Sequence, residues 1–510
     1  MSLDPSAQTP KVAHGSTPDV LPGTRRQFLW QAGAGFTGLA LTALLDGDGF
    51  FSRPAVAAAL SAANPLAARP PHRLTKARSC IFLFMFGGPS QLDLFDYKPA
   101  LQKRDGQTVD NEFRRNTKTK AVLQASRRQF TQHGQSGLWC SDALPHLARQ
   151  IDKLAFVKSL YSDSFAHGSA VLQMNSGRII QGHPAIGAWM SYGLGALNQN
   201  LPSFVVMLDP RGGPTTGAPN WSSGYMPAVY QGTVLRTAGD PILNLQPPAG
   251  SSREMQRNEI DLINKLNQAH AAQRPGFSEL QARIASYELA FQLQATAPEA
   301  LDLSQETPAT HELYGLNDKK GDHPLTVGPA PFGRQCLIAR RLVERGVRFV
   351  QIYSGGGAAG GQNTWDGHHG IEENLQIHAP EIDKPIAALL SDLEQRGLLD
   401  ETLVVWGGEF GRQPVSETFN TGGKTGGRDH NPKGFTYWLA GGGVKPGVSY
   451  GETDELGAEA VVNRRHLRDL HATILHLMGL DHHQLTYFYG GLQNRLTGVL
   501  DAEVIRGVLA

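Results

Sequence analysis

Residues 363–414 read NTWDGHHGIEENLQIHAPEIDKPIAALLSDLEQRGLLDETLVVWGGEFGRQP; after a Gly/Thr-rich loop, residues 426–432 read GGRDHNP. The spacing predicts a long helix over 371–396 and a short apolar strand over Thr402–Trp406. Carboxylates and imidazoles crowd the ends of both. Asp366, His368 and His369 precede the helix, Glu409 and Arg412 follow the strand, and Arg428, Asp429 and His430 close the stretch. In open α/β sheets, ligands bind beyond the carboxyl ends of the strands, so these side chains predict a metal or polyanion site there.

Working outward, the same punctuation repeats. Cys80–Phe86 (CIFLFMF) is a continuous apolar run, the signature of a strand covered on both faces, and it ends in Gly87-Gly88-Pro89-Ser90. Leu154–Leu160, Leu201–Leu208, Val347–Tyr353 and Gly434–Ala440 read as further strands, with helices predicted over 331–345 and 464–479. Alternating strands and helices predict a mostly parallel, doubly wound sheet. Residues 100–140 read as an irregular excursion and 209–250 as a long loop. Residues 252–294 carry helical spacing and read as a paired helical insertion. Ser141-Asp142 is expected to cap a short helix over ALPHLARQI. Asp93 and Asp96 are either ligands or caps. His167 and Ser169 stand where a loop enters a helix, a position that sets a polar side chain beside free backbone N–H groups.

The 510 residues hold 47 basic and 46 acidic side chains, a balance that gives no reason to expect nucleic acid as a partner. No G-x-G-x-x-G follows a strand, so a dinucleotide-dependent oxidoreductase is disfavoured. The three cysteines form no C-x-x-C pair, which leaves three buried thiols or one disulfide. Residues 1–23 are polar and Pro-rich, as in disordered segments. The 24–69 region opens with Thr24-Arg25-Arg26-Gln27-Phe28-Leu29 and a weakly apolar, Gly-containing run to Leu45, the pattern of a twin-arginine signal. It predicts export by the twin-arginine machinery to the periplasm or beyond, with no stable transmembrane segment after cleavage. One domain is expected over 78–510.

At GGPSQLDLFDYKP (87–99), residues 365–412, GRDHNPKGFTYWLAGGGVKPG (427–447) and DLHATILHLMGL (469–480), the chain resembles the alkaline phosphatase/sulfatase superfamily. It is most similar to the exported bacterial proteins grouped as domain of unknown function family 1501. The resemblance implies an alkaline phosphatase-like three-layer α/β sandwich with a metal site at the strand ends. It places Asp366, His368 or His369, and His430 on one metal site, and Glu409 on a ligand position of a second. Phe410 stands where the second site has a histidine, and Gly87-Gly88 where it has an aspartate. Counting ten residues back from the Gly of Met174-Asn175-Ser176-Gly177 puts His167 at the nucleophile position, with Ser169 and Ser164 as neighbours. Arg412 and Arg428 are either an oxyanion fork or partners of Glu409 and Asp429, and Asp93 and Asp429 belong to the same substrate-facing group.

The implied cofactor is a divalent metal: zinc, with manganese, calcium or iron as alternatives. The implied function is metal-dependent hydrolysis of a sulfate or phosphate ester on a small molecule or glycan. The competing expectation is a catalytically degenerate protein on the same fold that binds anionic glycans.

Overall fold

The computed structural model describes residues 64–111, 119–236, 250–273, 278–357, 361–417 and 426–510. The polar segment 1–23 and the Thr24–Leu45 stretch read as a twin-arginine signal lie outside them. Nine strands form the central sheet: β1 Ser79–Met85, β2 Leu154–Tyr161, β3 Phe204–Met207, β4 Thr233–Leu235, β5 Phe349–Ser354, β6 Thr402–Gly407, β7 Phe435–Ala440, β8 Val448–Tyr450 and β9 Arg465–His466. Their spatial order is β8-β2-β7-β6-β1-β5-β3-β4, with β9 also paired to β2. β7 runs antiparallel to both neighbours; every other pairing in this sheet is parallel.

The alternation of side chains along a strand builds both cores. Along β1, Phe82 and Phe84 enter one apolar cluster, while Ile81, Leu83 and Met85 enter the other. The first is covered by helices α1 His167–Ser176, α2 Ile186–Leu194 and α5 Leu467–Leu477. The second is covered by α3 Pro329–Glu344 and α4 Ile371–Gln395. The expected three-layer α/β sandwich is the architecture found. α4 keeps its helical course through Pro380 and Pro385, each of which removes one backbone bond. Its apolar stripe, including Ile382, Ile386 and Leu389, is fully buried and holds it on the sheet.

Three local expectations need correction. Residues 100–140 contain a helical turn, Pro99–Lys103, and two small hairpins, Thr108–Asn111 with Thr119–Val122 and Phe130–His133 with Leu138–Ser141. Ser141-Asp142 caps no α-helix, because the following segment winds as a 3₁₀ helix only from Leu147 to Lys153. The 209–250 loop contributes the three-residue edge strand β4. Helices Arg253–Ala272 and Ser278–Leu301 are joined by the Arg257–Glu288 ion pair at 2.8 Å.

Asn64–Ala510 groups as one unit. Cys80, Cys140 and Cys336 are buried free thiols. Among the described residues, no helix is long and apolar enough to cross a membrane.

Candidate metal centre

The carboxyl ends of β1, β2, β5 and β6 lie on one edge of the sheet, because these strands are mutually parallel across the reversed β7. Each delivers one part of the site. β6 runs on to Glu409. The loop after β2 brings His167 as the first residue of α1, and the loop after β5 brings Asp366. β1 ends in the Gly87-Gly88 turn. Gly87 has φ +116°, and a Cβ there would come within 2.5 Å of the Trp365 and Asp366 backbone, so only glycine permits this approach. The Asp366 loop is fixed from three sides. Trp365 N–H donates to the Phe86 carbonyl (2.9 Å), Trp365 Nε1–H to Ser354 Oγ (3.1 Å), and Asn374 Nδ2 on α4 to the Thr364 carbonyl (2.8 Å).

The fifth part is a hairpin, Gly411–Glu417 paired with Gly427–Asn431, whose register sets Arg412 opposite His430. Arg412 Nη2 lies 2.8 Å from Asp366 Oδ1, and the rest of its guanidinium donates to the Gly87, Gly88 and Arg428 carbonyls.

Three imidazoles surround Asp366. His167 Nε2 is 2.9 Å from Asp366 Oδ2, His368 Nε2 is 3.1 Å from Oδ1, and His430 Nε2 is 3.4 Å from Oδ1. Each opposite ring nitrogen meets an oxygen: His167 Nδ1 meets Glu409 (2.7 Å), His368 Nδ1 meets Glu417, and His430 Nδ1 meets the Phe165 carbonyl (2.6 Å). A carbonyl only accepts, so His430 carries its proton on Nδ1 and presents a lone pair on Nε2. Burial, with the charges of Arg412 and His167, pushes the His430 pKa down to about 4, which keeps the ring neutral. Glu417 holds Nδ1 of His368. His368 Nε2 and His430 Nε2 lie 2.8 Å apart beside a carboxylate oxygen. Electron-pair donors gathered at one point, with the outer nitrogens tied to oxygens, are the electronic arrangement a cation stabilises. One donor atom from each of His167, Asp366, His368 and His430 lies within 4.8 Å of the others, close to twice the roughly 2.0–2.6 Å of metal–ligand bonds.

Burial alone would lower the His167 pKa; its hydrogen bonds to Asp366 and Glu409 and their charges reverse this and raise it to about 9. Burial would raise Asp366, yet Arg412 and His167 hold its carboxyl far below the usual range. Glu409 also accepts two bonds from the Gly87 N–H, at 3.0 and 3.2 Å. Phe410 stacks on His430 with centroids 4.3 Å apart and planes inclined by 30°, and packs on His167 at 5.0 Å.

A comparison with known families matches residues 77–509 to the family described as "Protein of unknown function (DUF1501)". The chain belongs to this family. No curated protein matches it. Similar solved structures include a mutant TAB5 alkaline phosphatase with magnesium bound (11% identity, 80% of this chain, 100% of that one, TM-score 0.31). They also include a phosphonate monoester hydrolase from Silicibacter pomeroyi (13%, 72% and 71%, 0.30) and a sulfatase from Pseudoalteromonas sp. (12%, 66% and 62%, 0.31).

The other named residues of this DUF1501 member sit around the cluster. Arg428 and Asp93 form a fully buried pair at 2.8 Å, and the arginine's remaining donors go to the Gln124 and Gln413 carbonyls. Ser169 Oγ, within the first turn of α1, bonds Ser164 Oγ (2.6 Å) and the Ala166 carbonyl (3.2 Å). Asp429 Oδ1 accepts from the His430 N–H, and Asp429 forms a second close group with His368 and Glu417. His369 is not among the converging donors; it lines a surface cleft with Gly370, Glu372 and Gly426. His471 is buried against the Met174 carbonyl at 2.7 Å. Glu417 and the Phe165 carbonyl are the partners that sequence reasoning missed. Their roles depend on hairpin register and loop path, which leave no local sequence signal.

Proposed function

We propose that this chain is an exported, metal-dependent hydrolase of sulfate or phosphate esters. The reading is carried by one observation: three imidazoles present Nε2 to Asp366 while an oxygen anchors each Nδ1. The donor set of imidazole nitrogen and carboxylate oxygen fits zinc best, with manganese or iron as alternatives. Asp366, His368 and His430 would hold the ion. When bound, it supplies Lewis-acid stabilisation of charge developing on ester oxygens.

The chain's own groups supply the rest. His167 reaches the same point from the first turn of α1, whose Ala166 N-cap provides no side-chain acceptor. The first-turn N–H groups are therefore oriented for an oxyanion. Glu409 fixes the His167 ring through Nδ1, so Nε2, once it gives up the proton it shares with Asp366, is the atom presented, either as a nucleophile toward phosphorus or sulfur or as a further ligand. His368 and His430, more exposed than the buried Asp366, form the side from which a substrate enters.

The decisive experiment is elemental analysis of the full chain expressed with its Arg25-Arg26 signal intact, together with turnover of an aryl sulfate and an aryl phosphate. The expected result is a stoichiometric divalent metal and turnover that chelation abolishes and metal restores. His167→Ala is expected to abolish turnover. Cell fractionation should place the protein outside the cytoplasm, and changing Arg25-Arg26 to Lys-Lys should retain it inside. One observation favours a second reading, an anionic-glycan binder on the same fold: Phe410 fills the space beside His430 and Glu409 is already engaged by Gly87. Glycan binding without turnover or chelator sensitivity would establish that reading and overturn the first.

A further inference from the structure

A second, largely apolar-lined cavity of about 250 Å³ lies at the far end of α1, with Asp163, Gln173, Arg178, His466 and Arg468 as its polar walls. Its charge is unbalanced. Asp163 pairs with His466 at 3.1 Å and is the only carboxylate on the wall, with Arg468 at 3.9 Å. Among the described residues, no carboxylate pairs with Arg178, whose guanidinium bonds only the Gly177 carbonyl at 3.3 Å. The Arg178 guanidinium approaches Gly498 closely, where an added Cβ would lie 2.2 Å from Nη1, so a glycine there leaves room for the fork. Burial, then Arg468 and Arg495, disfavours the charged form of Arg178, the mark of positive potential without a counter-charge.

The chain forming the outer wall, Thr497 to Leu500, follows directly on the Tyr487–Tyr489/Leu492–Asn494 hairpin. Tyr489 is 56% exposed and stacks on Tyr225, with centroids 4.9 Å apart and planes at 12°. An exposed tyrosine stacked on a half-buried one, beside a cationic pocket, matches the two features of a charged sugar: its ring face for the aromatic plane, and its oxyanion for the guanidinium fork. α1 links this pocket to the metal centre, with His167 at one end and Gly177 just past the other. Ten helical residues span about 15 Å, a reach suited to a chain of sugars and too long for a small ester.

We propose that the Arg178–Arg468 pocket is an anion subsite that holds a sulfate group of a sulfated oligosaccharide, with a neighbouring sugar face on Tyr489. The proposed hydrolase function bears on this only in making the oligosaccharide a substrate; binding is measured without turnover, so the two readings fail separately.

The probes are a sulfated dextran oligomer, the same dextran unsulfated, and inorganic sulfate, titrated calorimetrically into the full chain. The sulfated oligomer is expected to bind, the neutral one not, and inorganic sulfate more weakly than the oligomer. Val499 is 84% exposed on the pocket wall, so Val499→Glu adds a repelling charge without touching the core. It should weaken the sulfated oligomer about tenfold or more, as should Arg178→Gln, the loss expected from one charge-assisted hydrogen bond. Tyr489→Ala should weaken the oligomer and leave inorganic sulfate unchanged. Melting curves confirm that Val499→Glu and Tyr489→Ala are folded. Undiminished binding to Val499→Glu, equal binding of neutral and sulfated dextran, or no binding to the parent chain would each overturn the proposal.

Discussion

Two sets of charged side chains meet at the end of the sheet, and they differ in what they have left to offer. Arg412 and Arg428 are fully buried, and their guanidiniums are occupied by carbonyls and by Asp366 or Asp93. His167, His368 and His430 each have one nitrogen occupied and one converging on Asp366. The arginines are a frame, because every guanidinium nitrogen already has an acceptor. The imidazoles differ, because the oxygens behind them engage Nδ1 and leave Nε2 directed at one shared point beside Asp366. Sequence proximity groups these residues together; hydrogen-bond accounting separates them.

Removing a frame residue gives the largest effect. Arg412→Met takes the cation from Asp366 and leaves the Gly87 and Gly88 carbonyls without a donor, so about 3–5 kcal/mol of unfolding free energy should be lost, as for other broken buried pairs. Arg428→Met should cost a similar amount through Asp93, while metal content per folded molecule stays unchanged. Urea unfolding with metal analysis of the folded fraction checks both. Loss of metal in a stably folded Arg428→Met would merge the two sets.

The converse comes next. His368→Ala removes a converging donor and leaves both buried arginine pairs intact. Metal affinity should fall by more than the roughly 100-fold upper range of an outer-partner loss. Stability measured after metal removal should change by nearer 1 kcal/mol, the centre for ordinary substitutions. His369→Ala, one residue on, should change neither. Competition titration against a chromophoric chelator separates the three proteins.

This pair also shows how far the sequence carries the structure. β1, β5 and β6 are legible as continuous apolar runs because both faces of each are buried, and helices on both sides follow from the βα alternation. Asp366 and His430 are legible as site residues from their place at strand ends. The choice between His368 and His369 is not, because adjacent loop residues point differently only once the backbone path is set. The Gly411–Glu417 strand is hidden for a related reason. Its GRQPVSE sequence has neither alternation nor an apolar run, and its register shifts between Arg412 and Ser416. The pairing of Arg412 with His430, and everything said of Glu417, follows from that register.

Glu417 gives a finer test, because it belongs to neither set. It holds His368 Nδ1 and is not one of the four residues whose donor atoms converge. Glu417→Gln keeps the shape but can offer its carbonyl or its amide to the ring, so the tautomer is no longer enforced. Metal affinity should fall about 10–100-fold, the range of outer-partner losses, with one metal still bound at saturation. Because the defect is in ring orientation and basicity, Glu417→Asp should recover part of the affinity. Equal losses in both variants would mean that Glu417 acts through hairpin packing instead.

The smallest effect is expected at Ser169. Its hydroxyl bonds Ser164 and the Ala166 carbonyl on the first turn of α1, and it is half-buried. If a hydroxyl on this turn were the nucleophile, Ser169→Ala would abolish turnover and leave metal affinity intact. If His167 is the group presented, Ser169→Ala changes metal binding and turnover little, and stability by no more than about 0.5 kcal/mol, as for substitutions away from buried features. Helix geometry favours the second outcome: His167, at the first helical position, faces Asp366 with Nε2, and residues two apart on a helix do not share a face. Paired assays of Ser169→Ala and His167→Ala on one aryl ester therefore read which side chain of the turn faces the substrate.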